Sequence, residues 1–136
     1  MAAGAKPSRG PGNRVVAALL RSPLHRVASG QLLLITYTGR RTGRSFTTPA
    51  MYARTGDDLV VHVAHAERKV WWRNLRGGAP VRVRLRGRDY DAEAEVVTGD
   101  ASLEEAYLAR FPRERERVDE PAEPIFVRLS DLQPVR

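Results

Sequence analysis

The alternation of apolar and polar positions is the strongest signal in the chain. Six stretches read as strands: Leu32–Thr38, Phe46–Ala53, Leu59–Ala64, Val81–Leu85, Tyr90–Val97 and Ile125–Leu129. Each is rich in β-branched, aromatic or other apolar residues, and Gly-, Asp- or Pro-bearing turns separate them. Six short strands predict a mainly β (α+β) fold, a closed or split antiparallel barrel with flanking helices. Two helices are expected to interrupt the series, one over Lys69–Arg76 and one over Ala101–Phe111, the second with Asp100 as its N-cap.

Ahead of the strands, residues 1–12 are rich in Gly, Ala and Pro and read as a flexible tail. From Asn13 onward, Val15, Val16, Leu19 and Leu20 recur at helical spacing, and Ser22-Pro23 interrupts them before a second short helix through Leu24 and Val27 to Gly30. Residues 13–136 are therefore expected to form a single domain around one core. The N-terminal helix carries arginine and no acid, which suits a cover over one barrel end and leaves peripheral membrane contact open. No apolar run approaches the length of a spanning helix, so a cytoplasmic location is the default expectation.

One hairpin is legible in detail. A two-residue Gly87-Arg88 turn places Arg86 opposite Asp89, Arg84 opposite Asp91 and Arg82 opposite Glu93, with Val81, Val83 and Leu85 on the buried face. This arginine ladder is thereby neutralised and structural.

Charge then changes the picture. The chain has 23 Lys and Arg against 16 Asp and Glu, a formal net charge of +7. Such an excess favours anionic ligands, nucleic acid or acidic lipid as partners. With the ladder neutralised, the uncompensated charge falls in two places. One is the loop Gly39-Arg40-Arg41-Thr42-Gly43-Arg44, and the other is the segment with Arg68, Lys69, Arg73 and Arg76. Glycines at both ends of the loop permit close ligand approach, and backbone N–H groups beside guanidinium forks suit a phosphate or carboxylate. A solvated hairpin tip has the same composition. The loop lacks the ending of a phosphate-binding P-loop and leads into a strand, which excludes a nucleoside triphosphatase.

The absence of cysteine excludes disulfides, thiolate metal sites and cysteine nucleophiles. His62 and His65 are three apart in a strand-like stretch, where odd spacing sends side chains to opposite faces, so joint metal ligation is not expected. No nucleophile elbow is present, and no carboxylate pair stands in an apolar setting. An enzyme built from these residues must take its chemistry from a cofactor. Both tryptophans lie in Trp71-Trp72-Arg73-Asn74-Leu75. On an α-helix Trp71, Asn74 and Leu75 share one face, pointing Trp71 and Leu75 inward with Asn74 free for a ligand, and Trp72 outward. Tryptophans that seal a barrel end fit the same pattern.

The run Thr36-Tyr37-Thr38-Gly39-Arg40-Arg41-Thr42-Gly43-Arg44, followed by Pro49 and Tyr52 and then by Trp71-Trp72-Arg73-Asn74-Leu75, resembles the deazaflavin-dependent nitroreductase family, small oxidoreductases of actinobacterial type. The similarity covers about residues 13–130. It implies a split β-barrel related to the flavin mononucleotide-binding oxidoreductases, with coenzyme F420, a deazaflavin with a phosphate and an oligoglutamate tail, as cofactor. The resemblance puts Arg40, Arg41 and Arg44 on the anionic tail. It puts Thr48, Pro49, His62, Val63, Ala64, His65, Trp71 and Asn74 around the ring, with Trp72 and Phe111 toward the substrate. The implied activity is hydride transfer from the reduced deazaflavin to a quinone, enone or nitro compound, with no protein nucleophile and no metal. Two positions depart from the family: Phe46 stands where a basic residue is usual, and Phe111-Pro112-Arg113-Glu114 replaces a tyrosine-rich stretch.

Other readings stand beside this one: an FMN-dependent flavoprotein, or a cofactor- or nucleic-acid-binding protein without catalysis. Few aromatics interleave the basic residues, which argues against a platform for single-stranded nucleic acid. The expected partner is a small-molecule substrate, and a homodimer through barrel edges stays open.

Overall fold

In a computed structural model of the chain, residues 31–120 and 123–135 are described. The expected N-terminal tail and helix lie outside them. The strands are β1 (Leu32–Thr38), β2 (Ser45–Thr55), β3 (Asp58–His62), β4 (Ala79–Leu85), β5 (Arg88–Thr98) and β6 (Ile125–Pro134). They close into an antiparallel barrel in the order β1-β2-β3-β6-β5-β4. Closure is made where β1 meets β4, with Ile35 opposite Val83. The barrel with flanking helices expected from the alternation is thus present, and all six strand stretches form.

The barrel interior takes the alternate residues Leu33, Ile35 and Tyr37 of β1, Val81, Val83 and Leu85 of β4, Ala92 and Ala94 of β5, and Val127 and Leu129 of β6. Burying each of the larger aliphatic side chains contributes about 1.5–3 kcal/mol relative to leaving it exposed. β3 departs from strict alternation, because Leu59, Val60 and Val61 are all buried. Its outer face is covered by helix α1 (Ala101–Arg110) and by α2 (Arg115–Asp119), whose Leu103, Tyr107, Leu108 and Val118 pack with Ala53, Val60, Phe111 and Phe126 as a second core. A strand covered on both sides reads as a continuous apolar run.

Asp100 caps α1 as its position implies, accepting from the backbone N–H groups of Ser102 and Leu103 at 3.0 and 3.2 Å. The Ser102 hydroxyl donates to the same oxygen at 2.6 Å, and these bonds hold the carboxyl below its ordinary range.

The β4–β5 hairpin corrects the expected register. The turn is Arg86-Gly87, with φ of 51° and 80°, and Arg84 stands opposite Asp89 and Arg82 opposite Asp91. Positive φ at both central residues is the type I′ pattern, whose twist matches the flanking strands. Moving the turn by one residue keeps the arginines on the same face but exchanges their partners. Both pairs form, at 3.2 and 3.3 Å. β5 and β6 slip by one residue near Asp131, which takes φ of 54°, as at a β-bulge.

The tryptophan segment gives a second correction. Trp71–Leu75 is a 3-10 helix. With three residues per turn, positions 72 and 75 share one face and 71 and 74 another. Trp72 and Leu75 are accordingly buried, at 4% and 1% exposure, while Trp71 and Asn74 are half-buried. Trp72 therefore faces inward, not outward.

Candidate active site

Six residues, 39–44, join β1 to β2, whose last paired residues are Thr38 and Ser45. The loop is closed by its own backbone: Gly39 N–H donates to Arg44 O at 2.8 Å, and Gly43 N–H to Gly39 O at 2.9 Å. Gly39 is needed for close approach, since a Cβ there would lie 2.9 Å from the Phe46 ring and 3.2 Å from Thr42 Oγ1. Arg40, Arg41 and Arg44 are exposed. Among the described residues, neither the N–H of Arg41 nor that of Thr42 makes a backbone hydrogen bond.

The tip is anchored from outside the hairpin. Arg40 N–H donates to Asn74 Oδ1 at 2.9 Å, and Asn74 Nδ2 donates to the carbonyls of Trp71 at 3.1 Å and Val70 at 3.3 Å. Beneath the loop, Tyr37 lies between Phe46 and Trp71, with ring centroids 5.7 and 6.2 Å away. The two segments that carry the basic clusters, separated in sequence, therefore meet in space through Arg40 and Asn74. None of Arg40, Arg41, Arg44, Arg68, Lys69, Arg73 and Arg76 belongs to an ion pair among the described residues; the pairs there use Arg82, Arg84, Arg115, Arg117 and Arg128.

On the other side of the 3-10 helix, Trp72 walls a cavity of about 370 Å³ lined by His62, Val63, His65, Ala66, Glu67, Trp72, Arg117, Glu120, Glu123 and Ile125. Its volume is within the range usual for small-molecule sites. Trp72 is locked in place: its indole N–H donates to Ala66 O at 2.9 Å, and the Arg73 and Arg76 guanidinium carbons lie 5.6 and 4.7 Å from its ring centroid. Arg117 of α2, Glu120, Glu123 and Ile125 of β6 contribute further lining.

His62 and His65 both line this cavity, which corrects the expectation of opposite faces. β3 ends at His62, and His65 takes a left-handed conformation with φ of 54°, so strand parity no longer applies between them. The His62 ring packs 5.2 Å from Phe126 and 5.6 Å from Tyr107. Burial, with Lys69, Arg117 and His65 nearby, pulls its pKa down to about 4, so the imidazole is neutral at physiological pH. Among the described residues no three His, Asp or Glu side chains are grouped to hold a metal ion.

The remaining candidates divide. Thr48 and Pro49 are half-buried in β2, opposite Ile35 and Leu34 of β1. Ala64 is in the turn between His62 and His65, half-buried. Phe111 does not line the cavity; it is 8% exposed and stacks 5.1 Å from Tyr107 in the second core. Its link to the cavity runs through Tyr107 to His62. Asn74 is committed to holding the loop, with both ends of its amide engaged. Sequence reasoning missed Arg117, Glu120 and Glu123, which lie in or just beyond the charged run of residues 113–117. The one signal there is Val118, an isolated apolar residue with 0% exposure that pins α2 against the barrel.

Comparison with known proteins turns this geometry into an identity. Residues 18–119 match the model of the F420H(2)-dependent quinone reductase family. The chain belongs to that family. It is therefore an oxidoreductase, and coenzyme F420 is its cofactor. No curated protein matches in sequence. A solved structure described as a domain-swapped dimer is similar, with TM-score 0.64 and 15% identity over 89% of this chain and 100% of that one. A protein of unknown function from Agrobacterium tumefaciens is also similar, with TM-score 0.59 and 16% identity over 96% of this chain and 61% of that one. These two likenesses concern the fold. For an F420H(2)-dependent reductase the donor set fits the cofactor: an acid-free group of guanidinium and N–H donors suits a phosphate and glutamates, and an adjoining cavity is of small-molecule size.

Proposed function

We propose that this reductase passes reducing equivalents from F420H(2) to a small electrophilic acceptor of the quinone, enone or nitro class. When bound, the reduced deazaflavin supplies a hydride from C5 of its ring. The protein's part is binding and orientation. Arg40, Arg41 and Arg44, with the N–H groups of Arg41 and Thr42, hold the phosphate and glutamates. Thr48, Pro49, Val63, Ala64 and Trp71 form the surroundings of the ring. His62, His65 and Trp72 shape the cavity that admits the acceptor, and Phe111 supports it from behind through Tyr107.

The observation that carries this reading is the 3-10 helix Trp71–Leu75, which has the basic loop tethered to one side and the cavity on the other. It sets a basic loop next to a cavity of small-molecule size, which supports an anionic cofactor beside a small acceptor. The test is F420H(2) oxidation followed by absorbance with quinone, enone and nitro acceptors, beside fluorescence titrations with F420 and flavin mononucleotide. Turnover with at least one acceptor class and preference for the deazaflavin are expected. Binding of the deazaflavin with no turnover of any class would overturn the acceptor assignment.

The proposal extends to one cofactor-binding domain over residues 13–136 and to homodimer formation, which the domain-swapped dimer of similar fold supports. Sedimentation at two protein concentrations tests the dimer. No described helix is long and apolar enough to cross a membrane. Peripheral contact through the basic N-terminal segment and a cytoplasmic location belong to the same proposal, and vesicle flotation tests the former.

A further inference from the structure

We infer that Asn74 is a positioning residue that fixes the basic β1–β2 loop against the 3-10 helix, acting on the ligand's charged end through the backbone of Arg40. The inference rests on the cofactor reading above only for the identity of the anion. Asn74 is the fourth residue of the 3-10 helix, and its amide spans the gap between that helix and the β1–β2 loop. The acceptor end takes the Arg40 N–H, and the donor end faces the Val70 and Trp71 carbonyls. This orientation is the one that satisfies every group, because a flipped amide would set NH₂ against N–H and oxygen against two carbonyls.

The loop has little else to fix its angle. Its internal bonds close the tip on itself, and Arg40, Arg41 and Arg44 make no ion pair among the described residues. Without the tether, three like charges on a glycine-ended loop repel one another and spread. With it, the loop is held against the turn that carries Val70 and Trp71, and the N–H groups of Arg41 and Thr42, which make no backbone hydrogen bond among the described residues, keep a defined direction. A ligand then meets an ordered donor set instead of ordering one on arrival, which raises affinity by reducing the entropy lost on binding.

The test combines amide exchange with binding, using the full chain and the variants Asn74→Leu, of similar shape without hydrogen bonds, and Asn74→Asp, which keeps an acceptor for Arg40. In the unliganded wild type the Arg40 amide is expected to exchange more slowly than those of Arg41 and Thr42. The protection should vanish in Asn74→Leu and persist in part in Asn74→Asp. Affinity for intact F420 should fall about tenfold in Asn74→Leu, the value of one hydrogen bond. Affinity for the deazaflavin lacking phosphate and tail should hold within about twofold. Equal exchange at Arg40, Arg41 and Thr42 in the wild type would overturn the tether, whether or not any variant folds. Equal losses for the tailed and tail-less deazaflavins would overturn its action on the charged end. If wild type binds no deazaflavin, the cofactor reading fails; exchange still judges the tether, and tripolyphosphate replaces F420 as the anion.

Discussion

The indole N–H of Trp72 donates to the carbonyl of Ala66 at 2.9 Å, which ties the wall of the cavity to the turn that follows β3. His65 and Ala66 also line the cavity, so this bond ties two parts of its lining together. Trp72→Phe keeps a ring beneath Arg73 and Arg76 but leaves the carbonyl unpaired. The expected cost is about 1 kcal/mol in urea unfolding, with a rise in KM for the acceptor. Trp72→Ala should cost about 3–5 kcal/mol, as for other buried aromatics.

Replacing Arg40 and Arg41 together by Ala should weaken F420 binding by about 1.5–3 kcal/mol per lost charge-assisted bond. Both side chains are exposed, so the melting temperature should hardly change. Fluorescence titration at several salt concentrations checks this. Undiminished affinity, or loss of the folded state, would contradict the anion-holding role.

Acid should destabilise the fold through His62. An unfolded histidine takes up its proton near 6.5, whereas folded His62 does so near 4. Between these values the unfolded state binds more protons, so stability falls as pH falls through this window. The contribution should be about 1–2 kcal/mol, less than the whole shift implies because the ring is half-buried and partly screened. Urea unfolding from pH 7 to pH 4 should show this component in the wild type and lose it in His62→Gln.

Phe111→Ala should cost about 3–5 kcal/mol, since the ring is buried against Tyr107. Its effect on kcat/KM should reach all acceptors through the loosened Tyr107 and His62 while F420 affinity stays close to wild type. Phe111→Leu should recover most of the stability and the activity. Selective loss with one acceptor class at unchanged stability would instead give Phe111 a direct contact with substrate.

Much of the fold was legible because strand formation is largely local. Turn-bounded stretches of β-branched, aromatic and other apolar residues marked all six strands, and Asp100 ahead of an apolar repeat marked the start of α1. The loop carrying Arg40, Arg41 and Arg44 was legible for the same reason, as glycines and cations without acid between two strands. The hairpin register was not, because Arg86-Gly87 and Gly87-Arg88 are both acceptable turns and the choice depends on how β4 and β5 twist against their neighbours.

By itself the sequence determined that the chain makes a basic, cysteine-free, β-rich fold, and that its surplus charge gathers in two segments. Tertiary structure alone decided that these segments touch, through Asn74 and Arg40, which are 34 residues apart. It also decided that His62 and His65 share a cavity and that Trp72 turns inward. Each depends on where an element stops or how tightly it is wound: β3 ending at His62, and a helix with three residues per turn in place of 3.6. Those outcomes follow from packing against distant residues, an energy that no local pattern of apolar and polar positions contains.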